Sequence, residues 1–305
     1  MTLKNIAKFL RFFILDTSIW IGRHTLPKTT RDWLWTTIGS NFYYQISRLE
    51  EAFPQRRRFI INHEFNFIYL PIPKNACSSF KALILSLSEV DNKEEILEDL
   101  ASIHEYMEKY LSLSIYSQRE AMDMLRNNKY FKFCIVRNPW SRLTSVYCNK
   151  FVTPQPSDFV KDVINTVYQR NGLEPNIEKS ITFKQFIEYL VTTNDEYLEP
   201  HWKPQYLFLG NIKFDFIGKF ESLNSDFQYI KNKLNLPLDI PWHNKTIYND
   251  IFDENKDWPN LYPCELIKLS KYPDNKKFYT PELVELVRKR YKKDIEMFEY
   301  EFTDA

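Results

Sequence analysis

Twice in this chain of 305 residues an apolar run of strand length ends in a polar loop and re-enters as a helix, and this arrangement constrains the fold more than any other feature. The first unit is Phe65-Asn66-Phe67-Ile68-Tyr69-Leu70, stopped by Pro71 and Pro73 and followed by a helical stretch from Phe80 to Leu87 that Ser78 or Ser79 can cap. The second is Phe131-Lys132-Phe133-Cys134-Ile135-Val136, which runs at once into Arg137-Asn138-Pro139 and a helical pattern from Trp140 to Phe151. Pro139 suits the first turn of that helix, where its missing N–H leaves no bond unmade. Buried strands that alternate with helices predict an α/β fold whose central parallel β-sheet is flanked by helices on both faces.

The rest of the chain reads around that centre. Residues 1–55, rich in Trp, Phe and Arg without strand alternation, are expected to form an irregular helical wrap on a domain spanning 56–305. Within the wrap, the apolar stretch from Ile6 to Ile21 is broken by Lys8, Arg11 and Asp16, too often for a bilayer span; a packed amphipathic helix is expected, with peripheral membrane contact as the lesser alternative. Surface helices are predicted over 94–128, a long loop or lid over 152–179, a helix over 181–193, a strand at Phe214–Gly218 and a helix from Ser222 to Leu234. Residues 237–279 read as irregular surface chain. A closing helix starts at Thr280 as N-cap with Pro281 in its first turn, and puts Leu283, Leu286, Val287, Tyr291, Ile295 and Phe298 on one face.

Composition excludes some classes. With 5 Gly no glycine-rich dinucleotide fingerprint can be built, and 41 Lys and Arg against 40 Asp and Glu leave no general nucleic-acid footprint. Any anion site must be local. Cys77, Cys134, Cys148 and Cys264 lack the spacing of a zinc site or a disulfide framework, and Cys134 and Cys148 read as core residues.

The chemistry gathers at the two loops. In Pro73-Lys74-Asn75-Ala76-Cys77-Ser78-Ser79-Phe80-Lys81, backbone N–H groups at a helix start, the Lys74 ammonium and two hydroxyls suit a phosphate or sulfate; an ordinary turn with a serine cap is the alternative. It is not a Walker A loop. In Arg137-Asn138-Pro139-Trp140-Ser141-Arg142-Leu143-Thr144-Ser145, Arg137 leaves a strand end and Ser145 lies about two turns into the helix, so both can reach one anion. Arg142 reads as structural, paired with a carboxylate.

Taken together, the two segments resemble the donor-binding motifs of sulfotransferases that use 3′-phosphoadenosine 5′-phosphosulfate (PAPS). The stretches His201 to Gln205 (HWKPQ), Phe214 to Phe227 (FDFIGKFESLNSDF) and Tyr291 to Tyr300 (YKKDIEMFEY) look like the Golgi carbohydrate sulfotransferases of the chondroitin and HNK-1 type. The resemblance implies a P-loop-like three-layer α/β sandwich, PAPS as co-substrate without a metal, and a glycan or glycoconjugate acceptor. It also implies that Lys74, Asn75, Ala76, Cys77, Ser78 and Ser79 hold the 5′-phosphosulfate, and that Arg137 and Ser145 hold the 3′-phosphate. Lys74 would stabilise the leaving oxygen. The membrane anchor of the Golgi enzymes finds no counterpart in the apolar pattern, so a soluble, cytoplasmic, bacterial-type enzyme is expected.

A base for the acceptor proton is sought among His24, His63, His104, His201 and His243. His201 alone lies in a family-like stretch, and is the catalytic candidate beside Lys74; a structural histidine next to Trp202 is the alternative. Glu221 is a second candidate base, or a partner for Arg142. Trp202, Trp242 and Trp258 fall in expected loops where they can stack on sugars, although single tryptophans more often belong to cores. Rival readings are a P-loop nucleotide kinase-like enzyme, which needs the missing Walker A loop, and a non-catalytic nucleotide- or glycan-binding module.

Overall fold

The computed structural model describes residues 58–241, 248–249, 256–269 and 272–304. The expected wrap over 1–55, the membrane-surface alternative for it, and His24, Trp242 and His243 lie outside the described residues. The strands β1 (Ile60–Asn62), β2 (Phe67–Leu70), β3 (Phe131–Val136) and β4 (Phe216–Lys219) form one sheet in that order. β2, β3 and β4 are parallel, with Phe67 opposite Phe131 and Phe133 opposite Phe216. β1 is antiparallel to β2, so the sheet is mostly rather than wholly parallel. The short link explains this: Asn62 Oδ1 accepts the Phe65 N–H at 2.8 Å and Asn66 turns at φ 51, which reverses the chain but leaves no room for the crossover that parallel neighbours require.

The helices are α1 (Cys77–Leu87), α2 (Lys93–Glu98), α3 (Leu100–Tyr106), α4 (Gln118–Arg126), α5 (Pro139–Lys150), α6 (Asp158–Arg170), α7 (Phe183–Val191), α8 (Tyr206–Leu209), α9 (Leu223–Leu234), α10 (Pro263–Leu266), α11 (Pro281–Arg290) and α12 (Lys292–Phe298). Strand alternation sorts them into layers. Phe67, Tyr69, Phe133 and Ile135 pack with Phe80 of α1 and Phe227 of α9. Their neighbours Ile68, Leu70, Cys134 and Val136 pack with Leu125 of α4, Phe208 of α8 and Phe298 of α12. The sheet is therefore the middle of three layers, as expected. A further core gathers α5, α6, α7 and α11 around Trp140, Tyr147, Phe151, Phe183, Phe186 and Trp202.

Four local expectations are corrected. α1 begins at Cys77 rather than Phe80, and no serine caps it; its N-cap is Ala76, in the left-handed region at φ 59. Residues 152–179 hold α6, whose Val160, Val163, Ile164 and Val167 repeat at helical spacing into the core although the flanking segments are polar. Within 237–279, Trp258, Leu266 and Phe278 are buried, and Tyr248–Asn249 pairs in parallel with Tyr272–Pro273, so this stretch is not merely surface chain. The closing helix breaks in two at Tyr291, which leaves helical geometry at φ −107 and ψ 24 while its hydroxyl donates to the Trp202 carbonyl. Thr280 caps α11 as expected, accepting the Leu283 N–H at 3.3 Å.

Candidate active site

Between β2 and α1 the chain turns through two non-glycine residues in the left-handed region, Lys74 at φ 71 and Ala76 at φ 59. Each such residue costs on the order of 1–2 kcal/mol, so the surrounding structure must hold the turn. Asn75, between them and fully buried, does this. Its Nδ2 donates to the Ile135 carbonyl at 2.9 Å and to Gln205 Oε1 at 2.7 Å. The Asn75 Oδ1 atom is buried without a hydrogen-bond partner. A turn of this shape, set at the start of an 11-residue helix that no side chain caps, is suited to an anion.

Lys74 is half-buried at this turn. Burial draws its pKa down to about 8; Arg137 and Lys150 push the same way, and the thiols of Cys77 and Cys148 oppose them. Arg137 leaves the end of β3, where Gln205 brackets its main chain: Oε1 accepts the Arg137 N–H at 2.9 Å and Nε2 donates to the Arg137 carbonyl at 2.7 Å. The Arg137 guanidinium donates to the Lys74 carbonyl at 3.1 Å and to Ser141 Oγ at 3.1 Å, and stacks 4.2 Å above the Phe220 ring. Ser145 lies one turn beyond Ser141 on the same face of α5 and is buried.

Two buried devices register these segments. Asp294 of α12 accepts the N–H of Gln205 at 2.7 Å and of Tyr206 at 2.8 Å; burial raises its carboxyl above the usual range, against the pull of these donors. Arg142, 1 % exposed, donates to the carbonyls of Pro73, Lys203 and Pro200 at 3.1, 2.8 and 3.1 Å, tying the donor loop to the segment carrying His201. It is structural, as expected, but its partners are carbonyls and not a carboxylate. Replacing Asp294 with Ala orphans two buried N–H donors, so Asp294→Ala is expected to lower unfolding stability by about 2–4 kcal/mol. Urea titration measures this. A loss below about 1 kcal/mol would show that water substitutes for the carboxylate.

Glu221 is engaged elsewhere than expected. It accepts the Asn138 N–H at 2.9 Å, the Ser141 hydroxyl at 3.4 Å and the Tyr300 hydroxyl at 3.1 Å, and so fastens the start of α5 instead of pairing with Arg142. His63 is exposed and hydrogen-bonded to Tyr116 and Tyr130, beyond the opposite end of β2 from the donor loop. Trp202 and Trp258 are buried, so neither presents a face to a sugar.

His201 Nδ1 lies 2.8 Å from both carboxylate oxygens of Glu199, and its ring stacks parallel to Phe159 at 5.9 Å. Burial lowers its pKa, Glu199 opposes this, and Lys150 and Lys74 add to the lowering. His201 therefore shares its surroundings with Lys74. His104, exposed on α3, also stands within charge reach of His201, Lys81 and Lys150. The structure thus brings Arg137 against the Lys74 turn and His201 within charge reach of Lys74, sets Ser145 one turn beyond Ser141, and adds Glu199, Gln205, Phe159 and Asp294, which sequence reasoning did not single out. Among the described residues no group of three His, Cys, Asp or Glu is placed to hold a metal ion, and no helix is long and apolar enough to cross a membrane.

The profile of the sulfotransferase family matches residues 57–301, which contain both loops and every residue of this cluster. The chain belongs to the sulfotransferase family. The three-layer arrangement about a mostly parallel sheet agrees with that family's P-loop-like fold. Among curated proteins, the chain is 30% identical over 189 residues to carbohydrate sulfotransferase 14 of Danio rerio, covering 60% of this chain and 50% of that one. It is 28% identical over 184 residues to carbohydrate sulfotransferase 11 of Rattus norvegicus, covering 57% and 52%. It is 27% identical over 204 residues to carbohydrate sulfotransferase 12 of Xenopus laevis, covering 58% and 48%. The chain thus spans about half the length of the curated relatives it matches. No solved structure matches it. The expectation of a cytoplasmic, bacterial-type protein does not stand, because these relatives are vertebrate carbohydrate sulfotransferases.

Proposed function

We propose that this sulfotransferase transfers the sulfuryl group of PAPS to a hydroxyl of a carbohydrate, with residues 56–305 as the catalytic domain. One observation carries the reading: the Arg137 guanidinium meets the Lys74 carbonyl at a strained turn, and Arg137 and Lys150 both act as cations on the Lys74 ammonium. A turn with two cations gathered about its lysine fits a ligand that bears phosphate and sulfate groups. The carbohydrate follows from the names of the relatives, all carbohydrate sulfotransferases.

In this reading the turn from Lys74 to Ser79 receives the 5′-phosphosulfate, and Arg137 with Ser145 receives the 3′-phosphate. The Lys74 ammonium meets the negative charge that grows on the leaving phosphate oxygen. His201, held neutral by its surroundings, takes the proton of the acceptor hydroxyl. A nucleotide kinase is disfavoured because Pro73 to Lys81 lacks the Walker A pattern.

The deciding experiment compares thermal stabilisation by 3′-phosphoadenosine 5′-phosphate with that by ATP and magnesium, beside transfer from labelled PAPS to desulfated glycans in EDTA. At about a hundred times its Kd the first ligand contributes ~2.7 kcal/mol, a clear rise in Tm. Stabilisation by ATP and magnesium alone, with no transfer in EDTA, would overturn the proposal. Arg137→Ala is expected to weaken binding of 3′-phosphoadenosine 5′-phosphate by about tenfold or more, since a charge-assisted contact contributes ~1.5–3 kcal/mol. Calorimetry on the folded variant checks this, and unchanged affinity would put the 3′-phosphate elsewhere.

A further inference from the structure

His201 enters the site with one ring nitrogen already committed. Both oxygens of Glu199 stand 2.8 Å from Nδ1, and Glu199 Oε2 also accepts the His201 backbone N–H at 2.7 Å. An ionised carboxylate has only acceptors, so Nδ1 must carry a hydrogen to make this contact, and the lone pair of the neutral ring then falls on Nε2. Among the described residues Nε2 has no protein partner. Phe159 covers one ring face, lying within 8° of parallel to it. The segment itself is fixed: Glu199 and His201 flank Pro200, the Glu199 carbonyl accepts the N–H of Trp202 and Lys203, and Arg142 holds the carbonyls of Pro200 and Lys203.

We infer that Glu199 is a positioning residue, which fixes the Nδ1–H tautomer of His201 and so presents Nε2 to the acceptor hydroxyl. This rests on the reading of His201 as the base. In the step, the hydroxyl oxygen forms a bond to sulfur, the bond from sulfur to the 5′-phosphate oxygen breaks with its electron pair leaving on that oxygen, and the hydroxyl proton passes to Nε2. Glu199 stays ionised and faces the imidazolium that forms, as an orienting carboxylate does in other acid–base sites. The other charged or titratable groups that act on this ring are Lys150 at the end of α5, Lys74 on the donor loop and His104 on α3.

Glu199→Gln tests the inference without emptying the site. The backbone N–H of His201 demands an oxygen at the Oε2 position; that oxygen also stands 2.8 Å from Nδ1, and the amide nitrogen takes the Oε1 position at the same distance. That nitrogen can only donate, so Gln sets one donor and one acceptor against Nδ1 and no longer imposes the Nδ1–H form as two carboxylate oxygens do. Ring nitrogen chemical shifts of His201 are expected to report the Nδ1–H form in the native protein and a mixture of the Nδ1–H and Nε2–H forms in Glu199→Gln. Turnover should fall about 10- to 100-fold while affinity for 3′-phosphoadenosine 5′-phosphate and Tm stay close to native. Because the Glu199 charge holds the His201 pKa up, the acid limb of the pH profile should move to lower pH in the Gln variant; a purely structural role would leave it in place. An Nε2–H ring in the native protein would overturn the inference, as would native turnover in Glu199→Gln when His201→Ala is inactive. Native turnover in His201→Ala would instead remove the base reading on which it stands, and the ring shifts would still report which nitrogen Glu199 protonates.

Discussion

Lys74→Ala is expected to lose about 10²–10³ in turnover, the usual result of removing a donor aimed at charge that develops in the transition state. The substitution is clean in two respects. Lys74 sits at φ 71, and Ala meets the same backbone cost there as Lys; the Lys74 carbonyl that accepts from Arg137 is retained. The pH profile identifies the group. With its pKa drawn down to about 8, the Lys74 amine of the free enzyme is protonated below that pH and neutral above it, so kcat/KM should fall as pH rises through about 8. A bound donor brings negative charge beside the amine and raises that pKa, so the alkaline limb of kcat should lie higher than the limb of kcat/KM. Lys74→Ala should lack the limb altogether. Rate assays between pH 6 and 10 decide it, and an unaltered alkaline limb in the variant would assign that ionisation to another group.

The part of this molecule legible in sequence is the part specified locally. β3 coincides with the apolar run Phe131–Val136, because a strand covered on both faces has no polar side and reads as continuous hydrophobicity. Pro139 and Thr280 mark their helix starts for reasons contained within one turn. The positions of Lys74 and Arg137 were legible for a related reason: each stands in the loop that follows a buried strand. α6 was missed because the apolar stripe of Val160, Val163, Ile164 and Val167 is short and set between polar segments, so mean composition hid the periodicity. The serine cap expected for α1 lost to the left-handed turn at Ala76, which Asn75 holds from outside the segment.

What could not be read is carried by partners far apart in the chain. Asp294 and Gln205 are 89 residues apart, and Asp294 alone looks like one more charge on an amphipathic helix. Arg142 is bound by carbonyls, which leave no trace in side-chain identity, so a carboxylate partner was the natural but wrong expectation. Glu221, free in sequence to serve as base or partner, is held by Asn138, Ser141 and Tyr300. Still, Gln205 and Asp294 both lie inside the family-like stretches, and their hydrogen bonds supply a physical reason for two of those islands: one positions the donor loop against β3, the other supports it from α12.

His201→Ala should cost about 10²–10⁴ in turnover, the range of general-base removal, while leaving donor binding close to native. The division from Lys74 follows from where each side chain stands. Lys74 belongs to the donor turn, and its ammonium meets the phosphosulfate in the ground state as well as in the transition state, so its loss should weaken donor binding as well as turnover. His201 is attached through Arg142 and Glu199 to the 199–203 segment, and nothing in its hydrogen bonding ties it to the donor loop directly. Its pKa is lowered first by burial and then by Lys150 and Lys74, so the ring is neutral from somewhat below its ordinary value upward; kcat should fall only as the pH drops through that lowered value, when protonated Nε2 can no longer accept. His201→Ala should therefore lose the acid limb and keep the alkaline one, the mirror of Lys74→Ala. Calorimetry with 3′-phosphoadenosine 5′-phosphate and kcat profiles of both variants separate the roles. A folded His201→Ala enzyme that keeps more than about a tenth of native turnover would leave the base role without support, and loss of donor affinity equal to that of Lys74→Ala would make His201 part of the donor site instead.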